Sequence, residues 1–61
     1  MQEELRKKVK LLKALQNISY AELSEYLEIT RNGFYNWLKG YYNLSEEKTK
    51  RLIEIIDLIS E

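Results

Sequence analysis

The chain has no cysteine, no histidine and no proline, and only two glycines among its 61 residues. Without cysteine there is no disulfide and no thiolate metal site. Without histidine the commonest general base and the commonest metal ligand are both missing. With no proline, and glycine confined to Gly33 and Gly40, nothing reads as a linker, and residues 1–61 make one domain. There is no phosphate-cradling glycine loop and no evident carboxylate pair, so neither an enzyme, a cofactor nor a small-molecule substrate is expected. No apolar run approaches the roughly 18 residues of a membrane span. The start, Met-Gln-Glu-Glu, has neither the positive charge nor the apolar stretch of a signal peptide. The expectation is a cytoplasmic protein without membrane contact.

Charge of either sign is also lacking in sum: ten basic and ten acidic residues leave a formal net charge of zero. That argues against tight non-specific binding to a polyanion, but the charges are unevenly placed. Arg6, Lys7, Lys8, Lys10 and Lys13 load the first segment with positive charge, while Glu54, Asp57 and Glu61 make the last one acidic. A chain this short buries only about 60% of the surface its unfolded form exposes, so a good helical core or a partner subunit must supply its stability.

What is present is helical spacing throughout, with no period-two alternation. Leu5, Val9, Leu12 and Gln16 share one side of a helix from about residue 2 to 16, with Leu11 and Leu15 widening the apolar arc. Ser19 followed by Glu22 reads as a capping box that starts a second helix over 20–27, with Tyr20, Leu23, Ser24 and Leu27 inward. After a short turn at Glu28 and Ile29, Thr30 is a natural N-cap for a third helix over 31–39. That helix buries Phe34, Trp37 and Leu38 and stops at Gly40, the favoured residue just past a helix end. Ser45 caps a fourth helix over 46–59, whose Glu46 and Glu47 suit the positive end of the helix dipole. The fold class is therefore all-α: a compact domain of four helices, with room for a short extra turn.

The stretch from Ser19 to Gly40 carries the most information. Two short helices are joined by a tight turn, a small residue (Ser24) lets them approach, and Ile29 plugs the angle between them. Residues 21–40, Ala-Glu-Leu-Ser-Glu-Tyr-Leu-Glu-Ile-Thr-Arg-Asn-Gly-Phe-Tyr-Asn-Trp-Leu-Lys-Gly, resemble the helix-turn-helix motif of the Xre/Cro-type phage repressor family. The likeness rests on Glu22, Leu23, Leu27, Ile29, Thr30, Arg31, Trp37 and Gly40, and the first and last helices fit the family's flanking helices. It implies a Cro/repressor-like domain whose third helix enters the major groove of double-stranded DNA, in a transcription regulator of a bacterial cell or its phage. Two positions depart from the pattern. Glu28 stands where the family usually has glycine, at a cost of roughly 1 kcal/mol or more if the backbone there is left-handed. Gly33 stands inside the third helix, where it either permits close approach to a nucleic-acid strand or sits in the tolerant first turn.

With Phe34, Trp37 and Leu38 inward, the helical step puts Asn32, Asn36 and Lys39 on the opposite face, with Tyr35 beside them and Arg31 in the first turn. Arginine pairs with guanine O6 and N7 and asparagine with adenine N6 and N7, so Arg31, Asn32, Tyr35 and Asn36 are the expected base contacts. An ordinary solvated helix face has the same polarity. The resemblance further implies phosphate contacts from Ser19 and Tyr20 at the start of the second helix. It implies the same for Gly33 and for the loop Lys39, Tyr41, Tyr42 and Asn43.

The fourth helix is richer in aliphatics than one small core requires. Leu52, Ile55, Ile56 and Ile59 make an inward stripe, and Ile53 and Leu58 fall to either side of it. An isologous homodimer through Ile53, Ile56, Leu58 and Ile59 would bury the surplus and space two recognition helices by about one DNA turn. The alternative reading is a protein-interaction module, an antirepressor or inhibitor, that keeps the fold without binding DNA. A small terminase-like role in DNA packaging is a third.

Overall fold

The helix boundaries follow the capping residues. A computed structural model describes residues 2–60, apart from the side chain of Ser60, and contains four helices. They are α1 (Glu3–Gln16), α2 (Tyr20–Tyr26), α3 (Arg31–Leu38) and α4 (Glu46–Ser60). Ser19 Oγ accepts from the Ala21 N–H at 3.1 Å, Thr30 Oγ1 from Gly33 at 2.9 Å and Ser45 Oγ from Lys48 at 3.2 Å. Each satisfies an amide that the first helical turn leaves without a partner. The Ser19 bond goes to Ala21 rather than to the Glu22 amide that a capping box uses. Three helices end in left-handed residues: Asn17 (φ 57°), Glu28 (φ 59°) and Gly40 (φ 90°). No strand occurs among the described residues, and no helix among them is long and apolar enough to cross a membrane.

Leu27, Phe34, Trp37 and Leu52 are wholly buried at the centre, with Val9, Leu23, Leu38, Leu44 and Ile56 closing around them. Leu5, Leu12, Ile18, Tyr20, Ile29 and Ile55 pack on this core from its edges. α3 is thus fixed by one fully apolar face, which is why its other face is held at a defined angle to solvent.

Three expectations need correction. Leu11 and Leu15 do not extend the core: they are 57% and 70% exposed, because the helical step turns both well away from the buried Arg6 and Val9. Arg6 is not part of a basic surface. Its guanidinium is buried, 5% exposed, and donates from Nε to the carbonyl of Trp37 at the end of α3. Ile56, expected at a subunit interface, is buried in the chain's own core against α1 and the centre of the domain. Glu61, counted with the acidic C-terminal stretch, lies outside the described residues.

Candidate nucleic-acid interface

Burial of Phe34, Trp37 and Leu38 leaves Arg31, Asn32, Tyr35, Asn36 and Lys39 exposed along the outer side of α3. Among the described residues Arg31 has no ion-pair partner, and the Lys39 ammonium reaches only the ring of Tyr41, 6.0 Å from its centre. Glu28 and Glu46 bracket a segment whose only formal charges are those of Arg31 and Lys39. A neutral chain therefore presents a locally cationic face. Glu46 and Glu47, the nearest acids beyond it, turn to Lys50 at 3.8 Å and Arg51 at 3.5 Å along α4.

The start of α2 is tied to this face by aromatic packing. The Tyr20 ring meets Phe34 at 5.6 Å and stands edge-on to Tyr35 at 5.8 Å, while the Lys13 ammonium sits 5.1 Å above it. Burial, and secondarily the neighbouring Tyr35, pushes the Tyr20 phenol above its ordinary range, so it remains a neutral donor. Ser19 is half-buried and its hydroxyl oxygen already accepts the Ala21 amide.

The loop after α3 is braced from inside. Tyr42 Oη donates to the Gly33 carbonyl at 2.7 Å. Arg6 Nη2 donates to the Tyr42 carbonyl at 2.8 Å and to Asn43 Oδ1 at 3.3 Å, and Arg6 Nη1 pairs with Glu3 at 2.8 Å. Gly33 is crowded mainly by its own helix cap. A Cβ there would stand 3.1 Å from Thr30 Oγ1, tighter than most carbon contacts, and 3.4 Å from Tyr42 Oη, close to ordinary contact. The closest approach at this glycine is made by the helix's own N-cap, Thr30, and the residue sits in the first turn of α3. Of the loop residues expected at phosphate, Tyr42 and Asn43 thus already have internal partners, whereas Lys39 and Tyr41 project freely, Tyr41 at 72% exposure.

The second set of sequence-expected residues is not brought together. Ile53 and Leu58 are both exposed, yet five residues apart they point about 140° from one another around α4. Ile59 is half-buried in a groove with Ile18, Tyr26 and Ile55 on the far side of the helix.

Sequence reasoning missed the braces on the loop, Arg6 and Gln2. Gln2 Oε1 accepts from Trp37 Nε1 at 2.6 Å and from the Leu44 amide at 2.9 Å, and its Nε2 donates to Leu44 O and Thr49 Oγ1. The available signal is spacing: Gln2, Arg6 and Val9 recur at four and three residues and so share the inward side of α1. Comparison with family models, curated proteins and solved structures gave no significant match to this chain.

Proposed function

We propose that this chain is a helix-turn-helix regulator that binds double-stranded DNA in a sequence-specific way, with α3 in the major groove and two copies on an inverted repeat. The observation that carries the reading is the outer face of α3. It offers Arg31, Asn32, Tyr35, Asn36 and Lys39 on a helix whose other face is locked into the core, with no acidic residue between Glu28 and Glu46. Locked backbone and open polar ends are what base reading requires: the donors are placed in advance, and little further order is lost on binding. Arg31 suits a guanine edge, and Asn32 and Asn36 suit adenines. Lys39 and Tyr41 suit phosphates, which position the helix without reading sequence.

Few cations per copy make the electrostatic contribution small, so affinity comes from pairing two half-sites. Selection from random duplexes tests the reading. The expected product is a short inverted repeat with half-site centres about 10 base pairs apart. A flat selection with no enriched sequence overturns it and points to the interaction module. Arg31→Ala is expected to relax one base position at a cost of about 1–3 kcal/mol, whereas Lys39→Ala weakens all sites alike and lowers the salt slope by about one.

A further inference from the structure

α1 and α4 lie side by side and run the same way. At one end the Gln2 side chain bonds Leu44 and Thr49; further along, Lys8 and Leu12 face Ile56 and Asp57 across a shared cavity. The groove between the helices is open and bordered by one flank of each. On α1 that flank reads Glu4, Lys8, Leu11, Leu15, and on α4 it reads Glu46, Lys50, Ile53, Asp57. The common spacing of four, three and four keeps each set on one side of its helix. Leu11, Leu15 and Ile53 are exposed there, with charged residues beside them.

The rims carry opposite signs at each level. Glu4 on α1 borders the lower cavity beside Thr49 and Ile53, on the stretch of α4 where Lys50 projects. Lys8, one turn on, lines both cavities and in the upper one stands opposite Asp57. Among the described residues Glu4, Lys8 and Asp57 have no ion-pair partner, and Lys50 reaches Glu46 only at 3.8 Å. Among the described residues, the groove on the other side of α4, beside Tyr26, has Glu22 as its one charged lining residue and offers nothing of opposite sign.

We propose that the α1–α4 groove is the surface through which the chain pairs with a second copy, about a two-fold axis running along the groove. That axis lays α1 of each copy on α4 of the other. Glu4 then meets Lys50 of the second copy and Lys8 meets its Asp57, each contact occurring twice, with the leucines and Ile53 closing on one another between them. An axis across the helices would instead set the lysine-rich α1 against itself. Zero net charge leaves no overall repulsion between copies. The surface deepens the homodimer of the proposed function but does not depend on DNA; of the residues expected at the interface it keeps Ile53, and it replaces Ile56, Leu58 and Ile59 with Leu11 and Leu15.

Sedimentation equilibrium without DNA tests it. The natural chain should be dimeric, and Lys8→Glu and Asp57→Lys should each weaken self-association about tenfold or more through like-charge contact. An equimolar mixture of those two variants should recover the dimer. In the mixed pair the new carboxylate at position 8 meets the new ammonium at position 57, and the untouched Lys8 and Asp57 meet across the second contact. Ile53→Lys should give monomers and Leu58→Lys should not; both sites are exposed, so circular dichroism should show folded helices for each. A natural chain that is monomeric up to about 100 μM overturns the proposal. So does a mixture that fails to recover, or a dimer broken by Leu58→Lys and not by Ile53→Lys. A flat DNA selection would leave this result untouched, and binding of a monomeric chain to a single half-site would leave base reading by α3 standing while this proposal and the paired half-sites fell.

Discussion

α2 and α3 end in the same backbone turn with different chemistry. At the end of α2 the Glu28 amide bonds Glu25 O and the Ile29 amide bonds Ser24 O, both at 3.0 Å. At the end of α3 the Gly40 amide bonds Trp37 O and the Tyr41 amide bonds Asn36 O, again at 3.0 Å. Both are Schellman turns, which need a left-handed residue at their centre. One uses glycine, the other glutamate. Each end also receives a cation from another helix: Lys48 Nζ donates to Leu27 O at 2.8 Å, and Arg6 Nε donates to Trp37 O. The difference lies in what anchors the chain next. After α2, Ile29 packs on the core; after α3, Tyr41 is exposed and the polar braces must hold the loop. An end with an apolar anchor tolerates a strained residue, and an end without one has the permissive residue and the buried cation.

Removing that cation should have the largest effect. Arg6→Met withdraws four donated bonds and leaves the Tyr42 carbonyl, Asn43 and Glu3 without their partner. A loss of about 2–4 kcal/mol is expected in urea unfolding, a large fraction of what a domain this small possesses. A loss below about 1 kcal/mol would mean that water replaces the guanidinium and that the two ends are held alike. Gly40→Ala should come second, at about 1–2 kcal/mol. Among the described residues nothing lies within 4 Å of the added Cβ, so the loss would be backbone strain at φ 90°. Lys48→Met should cost about 1 kcal/mol, because it withdraws a single bond, the one to the Leu27 carbonyl, and Lys48 itself is only half-buried.

The same contrast shows which features the sequence makes legible. Thr30, Ser45 and Gly40 announce helix ends through their own side chains or lack of one, and they hold those positions. Phe34, Trp37 and Leu52 announce the core through periodicity. Arg6 and Gln2 escape because half of their bonds go to backbone groups more than thirty residues away, which leave no side-chain pattern to match. Leu11 and Leu15 mislead for the opposite reason: an apolar residue fixes its preference for burial but not which surface covers it. The outer face of α3 is legible as geometry, since it is whatever the buried triad leaves over. Its target is not, because base reading depends on atoms that are not in the chain.

Glu28→Gly gives the smallest effect and the only one of opposite sign. Relief of the left-handed strain is worth roughly 1 kcal/mol. Against it stand the added freedom of glycine in the unfolded chain and the loss of the ion pair to Arg51 at 3.4 Å. That pair is largely exposed and contributes a few tenths of a kcal/mol at most. The expected outcome is a gain of about 0.5 kcal/mol, read as a shift of the urea midpoint at unchanged m-value. Glu28→Ala separates the two contributions, since it drops the carboxylate but keeps the Cβ strain. If alanine costs as much as glycine gains, the carboxylate holds the turn through Arg51. If alanine is neutral and glycine stabilises, the strain is carried by Ile29 in the core, and the two helix ends differ because their anchors differ.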